Sequence, residues 1–397
     1  MGRQEAIARS IVLALIDGSQ KRASSVVSWI LAFFSAFFSL WQLHFDKIRP
    51  ADFARLRRDH WDVSDDAYLD SFRPPAGKKP EDSLKPIGDM GFSGSVRRLP
   101  SLLLGSLSCR HANTDSAASK TFYSTADQKY LVKSVPRHSE HSFFRDDLLT
   151  PYVQHMAAHS RSMLVRISDF VGSRRLSLGK ILRLAPTHHI VMENIMYGQS
   201  EAKARGDVEW ERWDLKPTSY FYPERDIADG RLTSEATKSQ LADEFPDKIV
   251  LSKDQADQLF SSLESDTELL AKYNAVDYSL FLVRINTQRG EAERVAGRDQ
   301  ESPTGQSVIP QDPPAVPPEP PSWRTGVPSA DGKHVYRAAV LDFFWAKHKI
   351  QPILMTWLIN AWNLLIHHHG PMSITTTPDE YRQRFLKMCR KYVEVRE

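Results

Sequence analysis

The stretch 121–135, TFYSTADQKYLVKSV, holds two short runs rich in aromatic and β-branched residues around the polar turn Ala126-Asp127-Gln128. That pattern predicts a β-hairpin. Its second run puts Lys133 in the middle of an apolar strand. An ammonium there is costly unless it meets an anion. In kinase-type sites a lysine on the third strand contacts nucleotide phosphates. The competing reading is an edge-strand lysine whose stem is buried and whose head reaches water.

Residues 141–160 have helical spacing at Phe144, Leu148, Tyr152 and Met156. MLVRISDFVG (163–172) and THHIVMENIMYG (187–198) read as strands, the second running into a polar, charged loop over 199–212. Residues 252–273 predict a helix capped by Ser252. YSLFLVRI (278–285) and VYRAAVLDFF (335–344) read as strands. Two helices close the chain, over 353–368 and 378–395, the latter with the apolar stripe Tyr381, Phe385, Met388 and Tyr392. Upstream, 51–72 predicts two short amphipathic helices, with Ser64 capping the second. Strands and helices in this order make the chain α+β, without regular βαβ winding.

At 397 residues the chain can bury one large core or two smaller ones. Its net charge of +3 does not argue for nucleic acid, and no nucleic-acid partner is expected. Two cysteines, Cys109 and Cys389, exclude a disulfide framework and fit a reducing, cytoplasmic compartment. Residues 286–333 hold nine prolines and few large apolar side chains, which predicts a disordered insert.

Residues 1–48 form a separate helical and apolar segment ahead of the domain expected over 49–397. Within it, 23–45 lacks any acidic or strongly basic residue and is long enough to span a bilayer. Five serines and the basic residues on both flanks favour instead a helix buried in a homodimer interface or lying on a membrane. The apolar run starts too late for a secretory signal.

Two aspartates stand at the borders of apolar strands. Asp277, in NAVDYSLFLVRI, is placed to orient or deprotonate an attacking hydroxyl, or simply to cap a turn. Asp342, in AAVLDFFWAK, is followed by two phenylalanines, much as a kinase metal-binding aspartate is followed by Phe-Gly. Mg²⁺ prefers one or two carboxylates plus substrate phosphates, which suits such a residue. Taken singly, each aspartate is better explained by structure.

Taken together, and in this order, the segments resemble the phosphatidylinositol phosphate kinases. DFARLRRDHWDVSDDAYLDSF (52–72) is similar to the family's opening signature. The 121–135 hairpin, SMLVRISDFVG (162–172) and HHIVMENIMYG (188–198) are similar to its N-lobe strands. WDLKPTSY (213–220), VDYSL (276–280), VLDFF (340–344) and SITTTPDEYRQRFLKM (373–388) follow the family's later motifs. The resemblance implies a distantly protein-kinase-like fold with an antiparallel N-lobe sheet, a C-lobe and N-terminal helices. It implies a peripheral membrane enzyme that uses ATP and Mg²⁺ to phosphorylate a phosphoinositide. By matching motif, Lys133 would contact ATP phosphates, and Met192, Glu193 and Asn194 would lie near the adenine. Lys216 would hold the reacting phosphate, Asp277 would be the catalytic aspartate and Asp342 the Mg²⁺ ligand. Lys347 and Lys349 would meet the lipid head group. A protein kinase fits less well, because no His-Arg-Asp, Asp-Phe-Gly or Ala-Pro-Glu motif occurs.

Two departures bear on activity. Pro217 stands where the family has glycine, and proline removes a backbone N–H. Gly91, Ser93, Gly94 and Ser95 match the first half of a phosphate-cradling loop, but Phe122 follows only after Val96–Thr121. Removing the 25 residues Val96–Lys120 restores the family pattern. That segment reads as a retained intron or as a surface insertion at the hairpin tip. A catalytically impaired, lipid-binding member of the family is therefore the second reading.

Overall fold

Phe122–Thr125 (β3) and Tyr130–Ser134 (β4) form the expected hairpin, with Lys133 opposite Phe122. The computed structural model describes residues 2–17, 41, 43–87, 122–173, 177–182, 184–205, 209–217, 245–286, 322–346 and 377–396. They fall into two units. The N-terminal unit comprises Met1–Arg57, Ser64–Arg137 and Ile167–Glu193; the C-terminal unit comprises Arg58–Val63, His138–Arg166 and Asn194–Glu397.

The hairpin turn is held by its own side chains. Asp127 Oδ1 accepts from Thr125 Oγ1 at 2.5 Å and from the Lys129 N–H at 3.1 Å, while Gln128 takes a left-handed backbone (φ 60°). Around the hairpin the N-terminal unit builds a six-stranded antiparallel sheet. It adds Asp46–Lys47 (β1), Leu84–Ile87 (β2), Ile167–Gly172 (β5) and His188–Glu193 (β6), in the order β1-β5-β6-β4-β3-β2. Helix α1 (Arg3–Asp17) packs its Ile7, Ile11 and Leu15 stripe against the turn Pro80–Ser83 and β2. The two short helices are α2 (Pro50–Arg55), continued as a wider turn to His60, and α3 (Asp65–Asp70). Ser64 caps α3 by accepting from the Ala67 N–H at 3.1 Å.

Arg57 lies in a run of basic residues with Arg55 and Arg58, a pattern expected to face solvent. It is buried, donates to Ser168 O at 2.5 Å and Asp65 Oδ1 at 2.8 Å, and lies 3.7 Å from Asp169. Asp169 sits at a bulge of β5, fully enclosed, with Lys47 at 3.5 Å and the Tyr68 hydroxyl donating at 3.3 Å. Burial raises the carboxyl pKa of Asp169, and the two cations oppose that rise.

In the C-terminal unit, α4 (His138–Phe143) continues through a wider turn into α5 (Leu149–Ala158). A four-stranded antiparallel sheet has the order β11 (Val327–Pro328), β12 (His334–Leu341), β10 (Ser279–Asn286), β7 (Glu209–Leu215). Of the expected 199–212 loop, Gln199–Arg205 is helix α6 and 209–212 belong to β7, while 206–208 lie outside the described residues. β7 is an edge strand, and its Glu211 finds a partner across the ladder, Oε2 accepting from Arg284 Nε at 2.9 Å. Ser252 caps α7 (Lys253–Lys272) with a reciprocal capping box through Gln255. Asp266, buried on α7, accepts from Ser162 Oγ (2.7 Å) and the Met163 N–H (2.5 Å) and meets His155 Nε2 (2.6 Å). These bonds pin the connection after α5 to α7.

Helix α8 (Pro378–Tyr392) buries Tyr381, Phe385, Met388 and Tyr392, the expected stripe, and packs on α7. It stops at Tyr392, earlier than expected. Val393–Arg396 (β14) leaves the helix and pairs in parallel with Ile249–Ser252 (β8). Of the proline-rich stretch, Asn286 closes β10, residues 287–321 lie outside the described residues, and 322–333 pack as a turn, β11 and the bend into β12. The helix expected over 353–368 and the 96–120 segment also lie outside. So does 23–45, apart from Trp41 and Leu43–Phe45. No helix among the described residues is long and apolar enough to cross a membrane.

Candidate phosphoryl-transfer site

Three strands of the C-terminal sheet deliver polar residues to one end. Leu215, last in β7, pairs with Leu280, and Ser279, first in β10, pairs with Leu341, last in β12. Lys216, Asp277 and Asp342 therefore emerge together. One rung further on, Val276 of β9 (Ala275–Val276) pairs with Trp345 of β13 (Trp345–Ala346). Between those rungs one chain has Asp277 and Tyr278 and the other has Asp342, Phe343 and Phe344. The extra residue forces the ladder to bend.

The bend is fixed from both sides. Phe343 lies over Tyr152 (6.0 Å between ring centres) and Phe344 meets Phe144 edge-on (5.2 Å). Both phenylalanines are buried, so they plug the turn after Asp342 into the α4–α5 region. The Tyr381 hydroxyl donates to Tyr278 O at 2.5 Å, and their rings meet at 4.7 Å. Asp277 and Asp342 both hold left-handed backbones, φ 65° and 62°. Such conformations cost on the order of 1 kcal/mol or more each and gather at functional sites. The apolar run in the sequence continues through Phe344, but the strand ends at Leu341 because Asp342 turns the chain.

Lys216 Nζ lies 3.1 Å from Asp277 Oδ1, with side chains 19% and 29% exposed. The pair is thus open to a ligand and also sheltered from bulk water. Among the described residues no group of three or more His, Cys, Asp or Glu could hold a metal ion. An all-protein cage is not what Mg²⁺ uses, however. One or two carboxylates completed by substrate phosphates suffice, and Asp277 and Asp342 at one sheet end fit that donor set. Pro217, next to Lys216, is buried and offers no N–H.

The other sequence-predicted residues divide by position. Lys133 is buried on β4 of the N-terminal unit, paired with Ile190, its Nζ 5.5 Å from the centre of the Phe122 ring. Met192 and Glu193 are buried at the end of the neighbouring strand β6. Asn194 is the first residue of the last segment of the C-terminal unit. Its Oδ1 accepts from the Met196 N–H and its carbonyl from the Tyr197 N–H, both at 3.0 Å, which shapes the turn through Gly198 (φ 89°). Gly91, Ser93, Gly94, Ser95, Lys347 and Lys349 lie outside the described residues. One neighbour escaped the sequence reading. Arg337, inside the apolar run VYRAAVL, is fully buried. The signal is the same as for Lys133, a cation enclosed by apolar neighbours.

A family model described as phosphatidylinositol-4-phosphate 5-kinase matches residues 104–392. The match covers Lys133, Met192–Asn194, Lys216, Asp277 and Asp342 and begins after Gly91–Ser95. The chain is 23% identical to the chicken phosphatidylinositol 5-phosphate 4-kinase type-2 alpha over 333 residues, covering 76% of this chain and 72% of that one. It is 27% identical to the mouse phosphatidylinositol 4-phosphate 5-kinase-like protein 1 over 167 residues, covering 42% of this chain and 38% of that one. The human protein of that name gives the same identity and the same shares over 171 residues. The match thus spans under two fifths of the mouse and human relatives and about seven tenths of the chicken one. A model matched over most of the chain, with Lys216, Asp277 and Asp342 converging inside it, makes this protein a member of the phosphatidylinositol-4-phosphate 5-kinase family.

Proposed function

We propose that the chain is a lipid kinase that transfers the γ-phosphate of ATP to a ring hydroxyl of a phosphatidylinositol phosphate, in the manner of a phosphatidylinositol 4-phosphate 5-kinase. The observation that carries this reading is the Lys216–Asp277 contact at the sheet end where Asp342 also emerges. Asp277 accepts the proton of the attacking hydroxyl. The hydroxyl oxygen bonds to the γ-phosphorus, the bond to the bridging oxygen breaks, and ADP leaves. Lys216 offers its ammonium to the phosphate in transit. When bound, Mg²⁺ would neutralise charge on the nucleotide phosphates, and Asp342 would hold it. Lys133, a buried ammonium suited to an anion, would take the ATP phosphates, with Met192, Glu193 and Asn194 along the adenine and Gly91–Ser95 cradling phosphate. Lys347 and Lys349 would receive the anionic head group at a membrane surface. Peripheral attachment on the cytoplasmic side and homodimerisation through the N-terminal segment belong to the same proposal. The test is to supply ATP, Mg²⁺ and vesicles carrying each phosphatidylinositol monophosphate in turn. Conversion of the 4-phosphate to a bisphosphate supports the reading, and conversion of another isomer alone corrects the substrate.

The buried Pro217 favours the second reading, an impaired lipid-binding relative. Under that reading phosphoinositide vesicles bind while ATP and Mg²⁺ leave the melting temperature unchanged.

A further inference from the structure

Arg337 occupies the middle of β12, paired with Val283, and exposes no surface. A buried guanidinium is expensive unless its donors and charge are met. Among the described residues Arg337 has no carboxylate partner; Nη1 and Nε are held by carbonyl oxygens, and Nη2 has no hydrogen-bond partner there. Nη1 donates to Tyr197 O at 2.9 Å and to Ile195 O at 3.3 Å, and Nε donates to Thr325 O at 3.2 Å. The guanidinium carbon lies 5.1 Å from the centre of the Trp210 ring on β7, a cation–π contact. Burial lowers its pKa to about 10, so the charge persists at neutral pH.

Two of those acceptors lie in the turn that Asn194 opens, directly after Met192 and Glu193. The third lies in the Ser322–Gly326 turn ahead of β11. Five residues along the same strand from Arg337 stands Asp342. At strand rise that separation is about 17 Å, on the scale of an extended nucleoside triphosphate. One rigid strand therefore carries the proposed metal carboxylate at its end and fixes the turn beside the proposed adenine segment from its middle.

We propose that Arg337 is a positioning residue for the nucleotide, holding the Ile195–Tyr197 backbone at a set distance from Asp342. The inference rests on the ATP reading of Met192–Asn194 and Asp342. Lysine reaches fewer carbonyls than the guanidinium fork, and methionine reaches none. Trp210 supplies a second handle, because its loss frees the guanidinium without deleting it.

The test compares full-length wild-type protein with Arg337→Lys, Arg337→Met and Trp210→Leu. KM for ATP, KM for lipid vesicles, kcat and amide exchange at 195–198 are measured. Arg337→Met should raise the ATP KM at least about fivefold, with kcat and the lipid KM within about twofold. Arg337→Lys and Trp210→Leu should move the ATP KM in the same direction by less. Exchange should quicken at 195–198 while β10 stays protected. If Arg337→Met does not fold, the other two variants decide. An unchanged ATP KM, or parallel loss of kcat and both KM values in folded variants, overturns the inference and leaves the kinase reading standing. A wild-type protein that turns over no ATP overturns the kinase reading itself, before any variant is compared.

Discussion

Lys216 Nζ stands 3.1 Å from Asp277 Oδ1, although 61 positions separate the two residues. The contact exists because β7 and β10 are paired at Leu215 and Leu280, which brings the end of one strand to the start of the other. A partly exposed ion pair of this kind contributes about 0–1 kcal/mol to stability. Under the proposed function, its placement at the sheet end where Asp342 emerges serves chemistry rather than folding.

Lys216→Met should therefore separate the two roles. Urea melts should show a loss of no more than about 1 kcal/mol. Lipid phosphorylation should fall by about 10² or more, the scale of a lost transition-state charge partner. A stability loss of several kcal/mol with proportionate activity would mark the pair as structural.

Asp342 combines a strained backbone with a carboxylate. Asparagine tolerates the left-handed region nearly as well as aspartate, whereas alanine does not. Asp342→Asn should keep the melting temperature within a degree or two yet lose the stabilisation by ATP with Mg²⁺. Asp342→Ala should lose both, with about 1 kcal/mol of added backbone strain. Thermal melts with and without nucleotide and metal distinguish the two.

Activity should rise when the departures from the family pattern are reversed. Pro217→Gly restores a backbone N–H beside Lys216, and excision of Val96–Lys120 joins GFSGS to TFYSTADQ. Each change should lower the KM for ATP, Pro217→Gly by about tenfold if one charge-assisted hydrogen bond is regained. Initial rates against ATP concentration check this. No gain from either change would mean that neither Pro217 nor the segment limits the site.

His189 offers a prediction on stability alone. It is fully buried on β6, edge-on to Phe45 at 5.0 Å, with neither ring nitrogen bonded among the described residues. Burial pushes its pKa down to about 3. The unfolded chain therefore takes up a proton near pH 6.5 that the folded chain refuses. This group's contribution is intact above that pH and is lost as pH falls from about 6.5 to about 3, at about 1.4 kcal/mol per pH unit. His189→Phe should remove that slope. Urea melts at pH 7 and pH 4.5 should show the variant losing less stability on acidification than wild type. Equal losses would contradict the buried neutral ring.

Much of this architecture was legible in the sequence because its signals are local. The β3–β4 hairpin has a polar turn between two β-rich runs, and Ser64 and Ser252 announce their helices as caps. Asp277 and Asp342 stand out as acids at the borders of apolar strands. What escaped depends on partners distant in the chain. Arg57 sits among Arg55 and Arg58 and reads as solvent-facing, until Asp169, 112 positions later, draws it inward. β7 carries Glu209, Glu211, Arg212 and Asp214 and reads as a loop, until β10 and Arg284 supply its rungs. β14 forms only because β8 lies ready to pair in parallel. Arg337 was open to the rule that marks Lys133, but the carbonyls it serves are invisible in a sequence.

The lipid-kinase proposal stands on label passing from γ-³²P-ATP into lipid. Purified full-length wild-type protein and Asp277→Asn are incubated with Mg²⁺ and vesicles containing phosphatidylinositol 4-phosphate. The lipid-kinase proposal predicts a labelled bisphosphate with wild type and a rate lowered by about 10²–10⁴ with Asp277→Asn at unchanged melting temperature. Folded wild-type protein that labels no phosphoinositide, or an Asp277→Asn variant as active as wild type, would contradict it.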